Sequence, residues 1–373
     1  MAAKPVMVLS SDWHLSMLSW KKHPNIVGDS YYSLSQLVDM AIDLNVPLVG
    51  AGDLFDKKHP PSESVVHCCK EIRRLADAGL KLFYVQGQHE IEQVPWLSLC
   101  DNAVHVHSFG HGTGIKYFDI GGLKVCGMDI EFGKEAFLIQ LAALHADATQ
   151  SKHDLFITHQ VWADFVKQSC EPYLLKYATF AKMVYTGDFH GRAILDVDGT
   201  VCVSSGSIAM QASNEFPYRT AFVLFDDMSL QEFEIKTRPF IKLEIKTEEA
   251  LSLLLGSDKE ELVRNWRHTD LPVGLSTPLI SIKYQNDLPN VYDSLKAKFC
   301  DWNHDFSGLD FSSAELVVVA DKTELRELID ISECVRQFVA AGTVTHSDAV
   351  RIFNSSDVVS ELSSMRKEHI NKG

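Results

Sequence analysis

Along the first half of the chain, short apolar runs alternate with segments whose apolar residues recur every three or four positions. The runs are short enough to be buried strands, and we predict strands over 6–11, 46–51 and 80–87. Between them lie two predicted helices, over 33–45 and 62–79, the second with Ser62 as its N-cap and Gly79 at its C-terminal stop. This strand–helix–strand spacing predicts parallel pairing through right-handed crossovers.

Further short apolar runs occur later in the chain. Two apolar runs, "DLFITHQ" at 154–160 and "KMVYTGDFHG" at 182–191, both end in polar residues. Residues 192–205 contain two strand patterns around Asp198-Gly199, which is a strong hairpin signal. A second hairpin is predicted over 220–236. The principal domain is therefore expected over 1–237, as an α/β fold.

The order of predicted strands and helices changes near Arg238-Pro239. "FIKLEIK", "PLISIKYQ" and "ELVVVAD" read as strands, and helices are predicted from about Thr247 and near "VYDSLKAKF". We therefore predict a small α+β domain over 238–321. From 322 to 373 the pattern predicts a helical C-terminal segment.

The amino-acid composition limits the classes of protein to which this chain could belong. The chain has 373 residues, of which 46% are hydrophobic and 23% charged, values that are ordinary for a globular protein. Its net charge of −15 repels nucleic acid and anionic membranes, so a phosphate-polymer substrate needs a local basic patch or bound metal. The 8 cysteines form no C-x-x-C motif, and no signal peptide or membrane span is visible. We expect a cytoplasmic protein with reduced thiols and no membrane partner.

Five predicted strand ends finish in side chains that bind metals or transfer protons. They are Asp12 with His14, Asp53, Gln88 with His89, His159, and Asp188 with His190. Ligands of open α/β sheets bind outside the carboxyl ends of the strands, so these side chains are expected to converge. Mixed carboxylate, imidazole and amide ligands suit Mn²⁺, Fe²⁺ or Zn²⁺ rather than a thiolate-selective site. The sequence therefore predicts a divalent metal site at this edge.

Such a ligand set points to hydrolysis of phosphate esters. Two divalent ions roughly 3.5–4 Å apart can share a bridging carboxylate, clamp a phosphate ester and activate water near neutral pH. A nearby histidine that binds no metal can then assist the leaving oxygen as a general acid.

Five short motifs, "DWH", "GDLFD", "GQHE", "THQ" and "GDFHG", resemble in this order those of the calcineurin-like metallophosphoesterases. "GDLFDKKHPPSESV" and "SSGSIAM" are most similar to the SbcD-type DNA nuclease subunits of that family. The resemblance implies a four-layer α/β/β/α sandwich with a small α+β capping domain and a helical C-terminal tail. It also implies that 238–321 faces DNA, that 322–373 attaches an SbcC-like SMC-family ATPase, and that the subunit is a homodimer within the complex.

The resemblance also implies a role for each residue of the site. Asp12, His14 and His190 would hold the first metal, and Asp53 would bridge the two. Gln88, His159 and Asp188 would hold the second. His89 would bind no metal and would contact the phosphate and the leaving oxygen. The cofactors implied are two divalent ions, with Mn²⁺ favoured and Mg²⁺ as the alternative.

Two residues depart from the family pattern, and both belong to the second metal. The family has Asn where this chain has Gln88, and His where it has Asp188. One ligand is longer and the other is shorter and anionic, which favours Mn²⁺ or Mg²⁺ over Zn²⁺. The same pair of changes could instead weaken the second site.

Three functions follow from these observations. The first is a Mn²⁺-dependent DNA exonuclease and endonuclease subunit that works with a separate ATPase. The second is a phosphodiesterase or phosphatase for small nucleotides, and the third is a catalytically weakened scaffold that holds DNA ends and recruits the ATPase. Lys57, Lys58 and His59 form either a solvated loop or a contact to the DNA backbone.

A second group of histidines, His105, His107 and His111, lies close together in sequence. Their loop contains no carboxylate, so we interpret them as surface or core residues rather than metal ligands.

Overall fold

The computed structural model describes residues 3–15, 28–109, 115–148, 152–166, 173–211, 215, 218–264, 266, 268 and 270–309. The predicted strand "ELVVVAD" and the predicted helical segment 322–373 lie outside these residues. The chain divides into two compact units. Of the described residues, the first unit contains those within Met1–Leu243, Leu255–Ile282 and Tyr292–Asp305. The second contains those within Glu244–Leu254, Lys283–Val291 and Phe306–Gly373.

The strands are numbered in chain order. They are β1 (Pro5–Ser10), β2 (Leu48–Ala51), β3 (Leu82–Val85), β4 (Ala103–His105), β5 (Phe118–Ile120), β6 (Leu123–Met128), β7 (His153–His159), β8 (Ala181–Gly187), β9 (Ala193–Val197), β10 (Thr200–Ser204), β11 (Arg219–Phe225), β12 (Leu230–Ile235), β13 (Phe240–Ile245), β14 (Leu279–Gln285) and β15 (Asn303–Leu309).

The helices are numbered in the same way. They are α1 (Asp29–Leu44), α2 (Ser62–Asp77), α3 (Lys134–Asp147), α4 (Ala163–Val166), α5 (Glu248–Gly256), α6 (Val273–Ser276) and α7 (Val291–Lys298). Short 3₁₀ turns occur at Trp96–Leu99, Leu175–Ala178 and Lys259–Leu262. Of the helices in the described part of the chain, none is long and apolar enough to cross a bilayer.

The first unit contains two six-stranded sheets. Their strand orders are β12-β11-β1-β2-β3-β4 and β5-β6-β7-β8-β10-β9. The first three strands pair in parallel, as the strand–helix spacing predicts. The β9–β10 hairpin turns at Asp198 and Gly199, which have φ of 51° and 72°. Positive φ at both central residues is what a tight hairpin turn requires, so this prediction is confirmed.

Apolar side chains fill three layers around these sheets. Along β1, Met7 and Leu9 belong to a core formed by both sheets, whereas Val8 belongs to a core shared with α1 and α2. This division follows from the alternation of side chains along a strand. A third core packs Phe137 and Leu141 of α3 against the other face of the second sheet. The layers are therefore helix, sheet, sheet and helix, which confirms the predicted α/β/β/α sandwich.

The start of α2 differs from the sequence prediction. Ser62 is the first helical residue, and Pro61 occupies the N-cap without a capping side-chain bond. The reason is that the Pro61 carbonyl already accepts the first helical hydrogen bond, from Val65 N at 3.2 Å. Gly79 has a φ of +75° just beyond the helix, as expected for a C-terminal stop.

The third sheet has the order β13-β14-β15. β13, α5, β14 and α7 lie where the sequence pattern places them. β15, with the sequence "NHDFSGL", was not predicted because it has no apolar run. β4, β5 and β6 and helix α3 were also missed.

Candidate metal centre

The carboxyl ends of strands from both large sheets meet at one place. The backbone after β1 lies beside the end of β2, because Asp12 N donates to Gly52 O at 3.0 Å and His14 N donates to Asp53 O at 2.9 Å. β7 and β8 end at the same place, since His159 Nε2 lies 3.5 Å from Asp53 Oδ2 and Asp188 N donates to Asp12 Oδ1 at 3.0 Å. The structure thus brings together the predicted ligands and His89, namely Asp12, His14, Asp53, Gln88, His89, His159, Asp188 and His190.

The backbone is strained where these side chains emerge. Asp12, His14, Asp53 and Asp188 have φ of 51°, 43°, 50° and 72°. Such left-handed conformations cost a residue other than glycine on the order of 1–3 kcal/mol and cluster at functional sites. The sharp turns direct each side chain into the space between the strand ends.

Three glycines let the strand ends approach the His159 ring. A Cβ on Gly52 or Gly187 would lie 2.3 or 2.5 Å from His159 Nδ1, and one on Gly87 would lie 2.7 Å from Nε2. No side chain fits at these distances, so the residue before Asp53, Gln88 and Asp188 has to be glycine. The sequence interpretation gave these glycines no role, although a glycine before each polar residue was a visible signal.

The first group of candidate ligands consists of Asp12, His14 and His190. Their ligand atoms all lie within 4.8 Å of one another. His14 Nε2 is 3.2 Å from His190 Nε2, and His190 Nε2 is 3.8 Å from Asp12 Oδ1. Asp12 and His14 are buried, whereas His190 is partly exposed. This is the set that the family resemblance implies for the first metal.

Asp53 lies between this group and the second one. Its Oδ2 atom is 3.7 Å from His14 Nε2 and 3.5 Å from His159 Nε2. Asp188 Oδ1 is 3.9 Å from His159 Nε2. The same Asp188 oxygen accepts a 2.5 Å hydrogen bond from Gln88 Nε2. Asp53 thus lies between the first group and the predicted ligands Gln88, His159 and Asp188.

Several buried atoms of the centre have no hydrogen-bond partner among the described residues. They are Asp12 Oδ2, Asp53 Oδ2, Gln88 Oε1 and His159 Nε2. An unsatisfied buried polar group costs about 1–3 kcal/mol, so a cluster of them inside one protein needs a reason. Carboxylate and amide oxygens and imidazole nitrogens are ligands of divalent first-row cations. The residues present therefore fit two divalent metal ions.

The charges at the centre support the same conclusion. Burial would raise the pKa of the Asp53 carboxyl, but His159, His14 and His89 outweigh it and hold that pKa below its usual range. Burial would likewise lower the pKa of His159, but Asp53, Asp12 and Asp188 hold it well above its usual value. The carboxylates and imidazoles of the centre thus favour each other's charged forms.

His89 is oriented differently from the ligands. Its Nδ1–H donates to the Asp56 carbonyl at 2.9 Å, and its backbone N–H donates to Asp53 Oδ1 at 3.0 Å. The side chain is 41% exposed, and Nε2 lies 3.8 Å from Asp53 Oδ2. His14, Asp53 and His89 also form a cluster that could hold an ion. The geometry therefore leaves two roles for His89, as proton donor or as ligand.

Sequence comparison identifies relatives of known name. The chain is 22% identical over 229 residues to the DNA double-strand break repair protein Mre11 of Methanosarcina mazei, covering 59% of this chain and 36% of the relative. It is 25% identical over 249 residues to the Haloferax volcanii protein of the same name, covering 64% of this chain and 54% of the relative. The chain is related to the SbcD/Mre11 metallophosphoesterases.

The match to these relatives is partial. The chain spans about a third to about half of their length, at 36% and 54%. No protein-family profile matches it. Among solved structures, an archaeal phosphodiesterase matches with 13% identity over 61% of this chain and 98% of that one, at a TM-score of 0.35.

The sequence analysis missed one residue of the centre, Glu215. It accepts a hydrogen bond from His190 Nδ1 at 2.9 Å and one from Arg219 at 2.6 Å. A carboxylate on the far nitrogen of a metal-binding histidine fixes the ring and increases its basicity. Glu215 lies in none of the recognisable motifs, so nothing in the sequence pointed to it.

We expect Glu215→Gln to weaken metal binding at the first group. Loss of such a supporting carboxylate costs about 10–100-fold in metal affinity. The Mn²⁺ concentration that gives half-maximal hydrolysis should therefore rise in this variant. Glu232→Gln, which alters an exposed pair with Arg192, is the matched control. An unchanged Mn²⁺ requirement in Glu215→Gln would show that Glu215 does not position His190.

Glu90 holds the two central loops of the centre together. Its carboxyl accepts hydrogen bonds from Phe55 N at 2.8 Å and from Gly87 N at 3.1 Å. Burial, together with the nearby Asp53 carboxylate, raises the pKa of Glu90 to about 8. The loop that follows β2 is thereby tied to the loop that carries Gln88 and His89.

The predicted DNA-contact residues Lys57, Lys58 and His59 are exposed and follow Asp56 directly. Lys58 Nζ lies 3.5 Å from Glu92 Oε1, and the Lys58 carbonyl accepts a hydrogen bond from Trp96. The loop is therefore anchored at Lys58. Its contact with DNA stays a prediction.

Proposed function

We propose that the protein is a two-metal phosphodiesterase that acts as the nuclease subunit of an SbcCD-like DNA exonuclease and endonuclease complex. The observation that supports this most strongly is the position of Asp53. Its buried Oδ2 atom has no hydrogen-bond partner among the described residues and lies within 3.7 Å of imidazoles from both ligand groups. A carboxylate in this position is suited to bridging two cations.

Each residue then has a defined task. Asp12, His14 and His190 would hold one ion, and Gln88, His159 and Asp188 would hold the other. When bound, such ions polarise a phosphoryl group and supply a nucleophile from water at neutral pH.

His89 acts as the general acid in this proposal. Its Nδ1–H bond to the Asp56 carbonyl fixes the ring, the side chain is 41% exposed, and Nε2 lies 3.8 Å from Asp53 Oδ2. Nε2 of the protonated imidazole is suited to giving a proton to the oxygen that leaves phosphorus.

DNA is the proposed substrate, and an SbcC-like SMC-family ATPase is the proposed partner. Support comes from relatives that are named for DNA double-strand break repair. Because the chain has a net charge of −15, DNA must be attracted locally, and the exposed loop of Lys57, Lys58 and His59, which directly follows Asp56, is the proposed contact to the DNA backbone. We further propose that 238–321 faces DNA, that 322–373 attaches the ATPase, and that the subunit works as a homodimer in the cytoplasm.

Mn²⁺ is the proposed metal, with Mg²⁺ as the alternative. The second ion would be bound by the carboxylates of Asp53 and Asp188, the amide oxygen of Gln88 and the imidazole of His159. Oxygen ligands favour Mn²⁺ and Mg²⁺, whereas imidazole suits zinc and later metals. Replacing the family's histidine with Asp188 shifts this balance towards oxygen.

Hydrolysis assays with Mn²⁺ test the proposal. Purified protein is given linear duplex DNA, single-stranded DNA and bis-p-nitrophenyl phosphate in parallel. Turnover of DNA is the expected result. Turnover of the small ester alone would indicate a small-nucleotide enzyme, and turnover of neither would indicate a scaffold.

The two departures from the family pattern should be energetically coupled. Gln88 and Asp188 share a hydrogen bond and, in this proposal, one ion. We expect Asp188→His and Gln88→Asn each to raise the Mn²⁺ requirement, and the double variant to regain part of the loss. Coupling between residues in contact is about 0.5–3 kcal/mol.

A Mn²⁺ titration of hydrolysis for the four proteins measures this coupling. Strictly additive effects would show that the two residues do not share an ion. An inactive wild type together with an active double variant would favour the scaffold function.

A further inference from the structure

A second group of metal-competent side chains lies apart from the ligands described above. His105 ends β4, and His107 lies two residues further along, so both side chains point the same way. Asp129 follows β6 of the other large sheet. His105 Nε2 is 2.8 Å from Asp129 Oδ1, and His107 Nδ1 is 3.3 Å from Asp129 Oδ2. The three ligand atoms lie within 4.8 Å of one another.

The sequence interpretation set these histidines aside because their loop contains no carboxylate. The carboxylate instead comes from a different sheet, since Ser108 N donates to Gly127 O at 2.8 Å and brings the two chain segments together. Gly127 allows this approach, because a Cβ there would lie 2.1 Å from the Val106 carbonyl oxygen. His111, the third histidine of the sequence group, lies outside the described residues.

Hydrogen bonds alone do not explain why the side chains of His105, His107 and Asp129 lie together. Asp129 Oδ1 accepts from the backbone N–H of Gln86 at 2.7 Å and is also within reach of His105. Among the described residues, the buried His107 Nδ1 has no hydrogen-bond partner, although it lies 3.3 Å from Asp129 Oδ2. The rings of His105 and His107 stack at 5.5 Å, which holds both nitrogens on one side. A cation between the three residues would satisfy the nitrogen that has no partner.

We propose that His105, His107 and Asp129 form a third divalent cation site, selective for Zn²⁺. Two imidazoles and one carboxylate make up the ligand set of open tetrahedral zinc sites, in which water takes the fourth position. The larger share of imidazole also distinguishes this site from the oxygen-rich second group of the candidate metal centre.

A cation at this site supports the catalytic loop. Asp129 binds the backbone of Gln86, and the Gln86 side chain both donates to Glu92 O and accepts from Glu92 N, each at 3.1 Å. These bonds close the loop that carries Gln88 and His89. A cation bound to Asp129 would therefore fix the base of this loop.

Zinc stoichiometry tests the proposal. Three proteins are dialysed against Zn²⁺ and analysed by metal mass spectrometry: wild type, His107→Gln and the control His145→Gln. His145 is an exposed histidine of α3. We expect His107→Gln to hold one zinc equivalent fewer than the other two proteins. Because even a supporting residue costs about 10–100-fold in metal affinity, a lost ligand should cost at least about 100-fold. Equal stoichiometry in all three proteins would overturn the proposal.

A measurement on the wild type removes any dependence on the folding of a variant. Diethyl pyrocarbonate modifies accessible imidazoles, and mass spectrometry reports the extent at each histidine. We expect Zn²⁺ to protect His105 and His107 but not His145. Equal modification of His105 and His107 with and without Zn²⁺ would overturn the proposal. Neither experiment depends on hydrolytic activity.

Discussion

Replacing Asp53 with alanine should abolish metal-dependent hydrolysis of phosphate esters. The Asp53 side chain is fully buried, and its Oδ2 lies 3.5 Å from His159 Nε2 and 3.7 Å from His14 Nε2. Because a bridging carboxylate binds both ions, its loss dismantles both ligand groups at once. The measurement is hydrolysis of bis-p-nitrophenyl phosphate at saturating Mn²⁺.

Two controls separate loss of metal from loss of fold. Asp43→Ala removes an exposed carboxylate of α1 and should leave turnover unchanged. Circular dichroism should show that Asp53→Ala keeps its secondary structure, because the three apolar cores do not include Asp53. Wild-type turnover in Asp53→Ala would exclude a bridged two-metal centre.

Replacing His89 with asparagine should lower the rate of DNA hydrolysis about 10²–10⁴-fold, the usual contribution of a general acid. Asparagine can still donate to the Asp56 carbonyl but cannot supply a proton from the position of Nε2. Metal content, measured by mass spectrometry, should stay at the wild-type level. Joint loss of metal and activity would instead identify His89 as a ligand.

The choice of substrate sharpens this experiment. The oxygen that leaves DNA is a poor leaving group and needs a proton, whereas p-nitrophenolate leaves readily without one. His89→Asn should therefore lose more activity on DNA than on bis-p-nitrophenyl phosphate. Equal losses on both substrates would point to a role in binding the phosphate rather than in proton transfer.

Much of the fold followed from hydrophobic periodicity. The parallel strands β1, β2, β3, β7 and β8 are buried, so they appear in the sequence as continuous apolar runs. Each run stops where polar residues begin, and this is why the strand ends, and with them the metal ligands, could be located from the sequence.

The missed elements lack that signal. β4 and β5 have only three residues each, too few to show a period, and β15 is largely polar. Helix α3 has apolar residues around its whole circumference, including the exposed Leu138 and Ile139. It therefore shows no helical stripe.

The supporting residues could not be predicted because their partners are distant in the chain. Glu215 meets His190 and Asp129 meets His105 only after the sheets have formed. The glycines before Asp53, Gln88 and Asp188 were visible in the sequence. Their reason, the closeness of the His159 ring, appears only in three dimensions.

The most direct test of the two-metal centre is anomalous X-ray diffraction from crystals grown with Mn²⁺. We predict two manganese peaks, separated by roughly 3.5–4 Å, with Asp53 in contact with both. One should lie among Asp12, His14 and His190, and the other among Gln88, His159 and Asp188. A single peak, or the absence of manganese at these strand ends, would contradict the account.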